Sequence, residues 1–143
     1  MKKVMIAFAT LSILATAPAF ADGDVKKGKK VFKKCKACHA VGEGAKAKVG
    51  PPLNNIFGKT AGTQEGFKYS TVMTAKGAEG LVWNDETMAE FVKGPKRYMK
   101  GTKMSYAGLL KKKHIGKEKK EAKANKKVAN LLAYLKTFSP DAE

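Results

Sequence analysis

Cys35, Cys38 and His39 stand in the order Cys-Lys-Ala-Cys-His. Two thiols three positions apart can each add to one of the two vinyl groups on an edge of a porphyrin. The imidazole that follows at once can then offer a nitrogen to the iron. The motif occurs once in the chain, so it implies one haem c, held covalently through Cys35 and Cys38, with His39 as an iron ligand. The other uses of paired cysteines fit less well. A structural zinc site takes four ligands, and the only Cys or His beyond the motif is His114. A thioredoxin-like pair belongs near a βαβ pattern, which the sequence does not carry; a simple disulfide is the remaining alternative.

The N-terminus agrees with this chemistry. Lys2 and Lys3 precede an apolar run from Val4 to Ala17, and Ala19-Phe20-Ala21 is a small-x-small cleavage signal. The three parts read as a signal peptide over residues 1–21, removed on export to the periplasm. Thr10, Ser12, Thr16 and Pro18 dilute the run and argue against a retained anchor. Residues 22–143 then form one domain, and haem would enlarge its core. Outside the cytoplasm two idle thiols would oxidise, so a pair committed to haem suits that compartment.

The formal net charge is +17, of which Lys2 and Lys3 supply two. Such a balance raises the possibility of nucleic acid, but export and the lack of a nucleic-acid motif exclude it. The basic field points instead to acidic protein surfaces, with transient association at a membrane surface as a second use. Attraction of this kind chiefly raises encounter rate and sets orientation.

The elements that position the motif are helical. Asp24 caps a helix whose apolar positions are Val25, Val31, Phe32 and Cys35. Gly28 inside it costs about 1 kcal/mol against Ala and so implies close contact with another helix. Residues 40–70 read mostly as loop, with a short helical turn from Leu53 to Phe57. A second helix is expected over 71–76. A third begins at Asn84 or Asp85, buries Met88, Phe91 and Val92, and stops at Gly94-Pro95. Pro95 opens a fourth to about Lys100. Residues 111–127 hold nine lysines and two glutamates. Val128, Leu131, Leu132, Leu135 and Phe138 then recur at helical spacing up to Pro140. No alternating strand pattern appears, so the class is all-α.

A carrier of electrons gains from a second axial ligand. The candidates are Met73, Met88, Met99, Met104 and His114. His114 lies among lysines and reads as exposed, Met88 belongs to a core face, and Met73 and Met99 look like packing residues. Met104 sits in a loop after a helix, where a thioether can reach the far face of a haem, and holds a modest lead.

Several motifs in order resemble class I cytochromes c, especially the bacterial cytochrome c2 group: Gly-Asp-Val-Lys-Lys-Gly-Lys-Lys-Val-Phe at 23–32, Cys-Lys-Ala-Cys-His at 35–39, Gly-Pro-Pro-Leu at 50–53, Gly-Phe-Lys-Tyr-Ser at 66–70, Leu-Val-Trp at 81–83, Gly-Pro-Lys-Arg-Tyr at 94–98, Gly-Thr-Lys-Met at 101–104 and Leu-Leu-Ala-Tyr-Leu at 131–135. The resemblance implies a class I cytochrome c fold in which the N- and C-terminal helices cross, with Gly28 and Phe32 against Leu131 and Tyr134. It implies His39 and Met104 as the axial ligands. The Pro51 carbonyl would orient the His39 ring, Tyr69 and Trp83 would donate to a buried propionate, and Thr102 would hold the methionine loop. Lys59 stands in the region of a family arginine near a propionate, with loss of bidentate geometry. Phe91 replaces a tyrosine near the methionine sulfur, Met73 a polar residue, and Lys100 a proline.

The function implied is soluble, monomeric, one-electron transfer through an exposed haem edge ringed by Lys34, Lys48, Lys96, Arg97, Lys103 and Lys111. The donor would be a quinol-oxidising membrane complex and the acceptor a photosynthetic reaction centre or terminal oxidase, each docking through an acidic face. The competing class is an enzyme with an open sixth position, a peroxidase or gas-binding protein, although no distal His or Arg pair is evident. A cationic secreted binding protein without haem ranks below both.

Overall fold

The computed structural model describes residues 23–140; the export signal expected at residues 1–21 lies outside them. Helix α1 (Val25–Phe32) starts where the Asp24 side chain accepts a hydrogen bond from the Lys27 N–H at 2.9 Å. That cap satisfies a donor the first turn would otherwise leave open. The chain leaves α1 through two further turns, in which the Lys36 N–H bonds the Phe32 carbonyl and the His39 N–H the Cys35 carbonyl. The haem motif is thus an irregular extension of α1.

Helix α2 (Thr71–Ala78) is capped by Ser70. In α3 (Asp85–Lys93), Asn84 and Thr87 exchange bonds at 2.9 Å each, with Thr87 in the place that Glu or Gln usually takes in a capping box. Pro95 opens α4 (Pro95–Tyr98), which ends two residues sooner than expected. A 3₁₀ turn (Lys112–His114) precedes α5 (Glu118–Lys136). The described residues contain no strand beyond one isolated antiparallel bridge, Thr60 to Val82, so the all-α reading holds.

Two local expectations are corrected. The turn of helix from Leu53 to Phe57 does not form: Asn55 takes φ 52°, and the Asn54 side chain is drawn to Gly42, whose N–H and carbonyl it bonds at 2.8 Å each. A residue in the left-handed region cannot continue a right-handed helix. Helix α5, in turn, begins ten residues before Val128. Lysine and alanine are good helix formers, and Ala124 packs in the core, so helix runs back through the lysine-rich stretch with little apolar periodicity to announce it.

The core forms where α5 crosses α1 and α3. Phe32, Val128, Leu131 and Leu135 are each at most 2 % exposed, and the Phe32 and Tyr134 rings meet at 5.4 Å. A Cβ on Gly28 would collide with the Asn130 carbonyl oxygen and come within 2.6 Å of the Tyr134 Cβ. The glycine permits the crossing, as the sequence implied. Asn130, itself buried, accepts the Asp24 N–H at 2.8 Å and ties the start of α1 to α5.

Candidate haem site

Two stretches of loop run side by side and set the geometry around His39. The Gly50 N–H bonds the Cys38 carbonyl at 2.8 Å, and the Leu53 N–H bonds the Ala40 carbonyl at 2.9 Å. Between these two bonds His39 Nδ1 lies 2.7 Å from the Pro51 carbonyl oxygen. A carbonyl can only accept, so Nδ1 carries the proton and Nε2 keeps its lone pair. Burial lowers the pKa of His39, and the bond to Pro51 opposes that shift in part. Gly50 is required here, because a Cβ would stand 2.5 Å from the imidazole Cε1 and 2.8 Å from Nδ1.

The imidazole faces a mainly apolar cleft of about 340 Å³. Cys35 and Cys38 line it with free thiols. Burial, then the neighbouring Cys38, pushes the Cys35 thiol up to about 11, with Lys34 opposing. Trp83 and Phe91 form part of the wall, their rings 5.0 Å apart. Trp83 is held by backbone bonds: its N–H to the Lys59 carbonyl at 2.9 Å, and its carbonyl from the Gly58 N–H at 2.8 Å. Tyr69 also lines the cleft, packed edge-on against Phe67 at 4.8 Å. Burial raises its pKa, and a backbone hydrogen bond from Gln64 offsets part of the rise.

Of the methionines considered as second ligand, Met73, Met88 and Met104 line the cleft; Met99 and His114 do not. Met73 and Met88 are buried on helices, whereas Met104 is only partly buried and sits on a loop fastened at both ends. At one end buried Thr102 accepts the Met104 N–H at 3.3 Å. At the other, the Leu109 and Leu110 N–H groups bond the carbonyls of Val92 and Lys93 at 2.9 and 3.0 Å.

Some expected site residues lie elsewhere. Lys59 is not part of the cleft wall; its ammonium donates to the Gln64 side chain at 2.8 Å. The Arg97 guanidinium donates to the carbonyls of Lys93 at 2.9 Å and Leu110 at 2.8 Å, and so fastens α4 to the end of the methionine loop. Lys48 reaches back to the Lys36 carbonyl at 3.1 Å. The lysines that do line the cleft are Lys34, Lys103 and Lys68. Lys68 and Phe67 fall within the Gly-Phe-Lys-Tyr-Ser motif, but no residue pattern distinguished them from solvated loop. Tyr106 was also missed: it lines the cleft, and burial followed by the charge of Cys35 raises its pKa.

The residues present fit a haem. Two thiols, a neutral imidazole with an open nitrogen, a glycine that makes room for the ring and thioethers in one apolar cleft are a donor set for iron porphyrin. Fold and site define a small helical protein built round one covalently bound haem. The chain belongs to the cytochrome c family, class I and of the cytochrome c2 type, with residues 25–139 matching the family. It is 45% identical to the cytochrome c2 of Afifella marina over 117 residues, 82% of this chain and 84% of the relative. To the cytochrome c2 of Blastochloris viridis it is 40% identical over 141 residues, 99% of this chain and 97% of the relative. The solved structure of cytochrome c2 from Rhodospirillum centenum superposes with a TM-score of 0.70 at 34% identity, covering 82% of this chain and all of that one. The protein is a haem c electron carrier rather than an enzyme, which removes the peroxidase and haem-free readings.

Proposed function

We propose that this chain is a periplasmic one-electron shuttle whose haem iron is held by His39 and Met104. It would take electrons from a quinol-oxidising membrane complex and deliver them to a photosynthetic reaction centre or a terminal oxidase. The observation that carries the His39 assignment is the 2.7 Å contact from its Nδ1 to the Pro51 carbonyl; Met104 is assigned because it is the cleft-lining methionine on a loop rather than a helix. The Pro51 contact commits one ring nitrogen to the protein and leaves the other for iron, an outer-shell arrangement typical of histidine ligands. Haem supplies reversible one-electron chemistry between ferric and ferrous iron. A thioether ligand raises the reduction potential, and the loop fastened by Thr102 and Leu109 holds Met104 against thermal escape. Tyr69 and Trp83 are the donors we assign to a propionate, and both belong to the cleft wall. Lys59, turned to Gln64, is not assigned that role.

Docking falls to the lysines that line the cleft, Lys34, Lys68 and Lys103, together with Lys96, exposed on α4. The charge of each is screened over roughly 8 Å at physiological salt, so complexes form fast and dissociate readily. Charge reversal at Lys103 is expected to slow transfer at low salt and to lose its effect at high salt; equal slowing at both refutes a docking role.

The ligand assignment is tested on the purified holoprotein by its absorption spectrum. We expect the far-red band of methionine-ligated ferric haem, lost in Met104→Ala, and no spectral change when carbon monoxide meets the reduced form. Absence of the band together with ready carbon monoxide binding overturns the His39/Met104 assignment.

A further inference from the structure

The structure separates two sets of lysines. Lys34, Lys68 and Lys103 line the cleft, and no residue of the 111–127 stretch does. In the first half of α5, Lys119, Lys120, Lys123 and Lys126 are exposed and Lys127 is half-exposed. At 3.6 residues per turn these five fall within roughly a third of the helix circumference. The side turned away from them carries the buried Val128 and Leu132, with Ala124 and Leu131 buried nearer the edge of the stripe. No acid interrupts the stripe: Glu121 lies toward the packed side, where it accepts the Gly116 N–H at 2.8 Å, and Glu118 stands off the stripe in the first turn. At the head of the helix, Ile115 is 50% exposed. Its position is fixed by the 3₁₀ turn before it and by Gly116 at φ 76° after it. Around the neighbouring His114, partial desolvation and then the charges of Lys120, Lys113, Lys117 and Lys111 lower the imidazole pKa, so the cation density continues off the helix onto the turn.

We propose that the α5 lysine stripe and Ile115 together bind the surface of an anionic phospholipid membrane. Two features favour a lipid surface over an acidic protein. The five lysines run along about two turns of helix with no acid within the stripe, which suits a flat array of anionic headgroups. An exposed isoleucine beside the cations can enter the boundary between headgroups and acyl chains, as in other interfacial segments. The two lysine sets share no residue, so the membrane contact leaves the cleft-lining lysines available to a partner. The inference does not depend on the shuttle function, because its readout is binding alone.

The test is co-sedimentation of the holoprotein with phosphatidylcholine vesicles made with and without phosphatidylglycerol, across a range of salt. Binding is expected only with phosphatidylglycerol and is expected to weaken with salt. The triple variant Lys119→Gln, Lys123→Gln, Lys126→Gln should bind on the order of a hundredfold more weakly, at about fivefold per lysine. The triple variant Lys34→Gln, Lys68→Gln, Lys103→Gln should lose far less. Ile115→Ser should lower the binding that survives at high salt. An unchanged haem spectrum and melting temperature show that each variant is folded. Equal loss in both triples overturns the proposal in favour of a diffuse effect of net charge. Failure of the parent to bind phosphatidylglycerol vesicles at low salt also overturns it and leaves an acidic protein as the occupant of the stripe.

Discussion

Gly28→Ala puts one methyl group where α1 meets α5. The added Cβ would overlap the Asn130 carbonyl oxygen and stand 2.6 Å from the Tyr134 Cβ and 2.8 Å from the Asn130 carbonyl carbon. Ordinary contact begins near 3.4 Å, so relieving the overlap with the Asn130 carbonyl oxygen requires the helices to part by more than an ångström. Two of these three atoms belong to the backbone of a 19-residue helix, and no rotamer change moves them. Parting the helices loosens Phe32, Val128, Leu131 and Leu135, among the most buried residues of the core. Overpacking of this kind costs about 1–3 kcal/mol, and the unyielding backbone places it at or beyond the upper end. The gain in helix propensity offsets about 1 kcal/mol. The expected net loss is about 2 kcal/mol, which at an m-value of about 2 kcal/mol/M lowers the urea midpoint by about 1 M. The assay is equilibrium urea unfolding of the ferric holoprotein, followed by far-ultraviolet circular dichroism and haem absorption. Lys29→Ala, exposed on the same helix, is the control and should stay within about 0.5 kcal/mol of the parent. A Gly28→Ala midpoint equal to or above that of the parent refutes the close-crossing argument.

Gly50→Ala should act on the iron ligand rather than on global stability: its Cβ would press on the His39 ring at Cε1 and Nδ1, and the changed ring orientation is read in the electron paramagnetic resonance spectrum of the ferric protein, where an unaltered spectrum counts against the constraint. Arg97→Gln should destabilise by about 1 kcal/mol, since it removes charge-assisted bonds to the Lys93 and Leu110 carbonyls at a solvent-exposed position, while Lys96→Gln leaves the urea midpoint within error; equal effects would show that Arg97 does not fasten the loop. Asp24 has its pKa lowered from 3.8, first by the Lys27 backbone N–H and then by the Lys27 side chain. A depressed carboxylate contributes stability above its unfolded pKa and loses it as pH falls through the folded value. Asp24→Asn keeps a capping oxygen without the charge, so the parent's stability advantage over this variant should be present at pH 7 and shrink as the pH falls below the ordinary aspartate range; an advantage that does not change with pH would refute the ionic contribution.

What was legible in the chain lay within a few residues of itself or on a strong apolar period. The spacing of Cys35, Cys38 and His39 is a local covalent requirement, and Asp24 and Asn84 cap helices through bonds that span three residues. Gly28 announced the helix crossing because a glycine inside a helix needs a packing reason. Resemblance supplied Pro51, which local patterns do not single out, and turned the modest lead of Met104 into an assignment.

The remainder depended on partners distant in sequence or on helix without an apolar face. Arg97 looked like one more surface cation until the fold brought the Leu110 carbonyl 13 positions away within 2.8 Å of it. Lys59 and Lys68 are chemically alike, and only the course of the loop sends one to Gln64 and the other to the cleft. The lysine-rich half of α5 carries no strong period; it is helical because the packed half beyond Val128 provides the nucleus from which helix extends at little cost. The haem motif, the helix caps and the crossing glycine could be read from the chain alone, because bond geometry and steric exclusion act over short range. Which cations face the cleft and which face away was settled by the fold, because a charged side chain on a flexible stem takes its place from whatever the folded backbone brings near it.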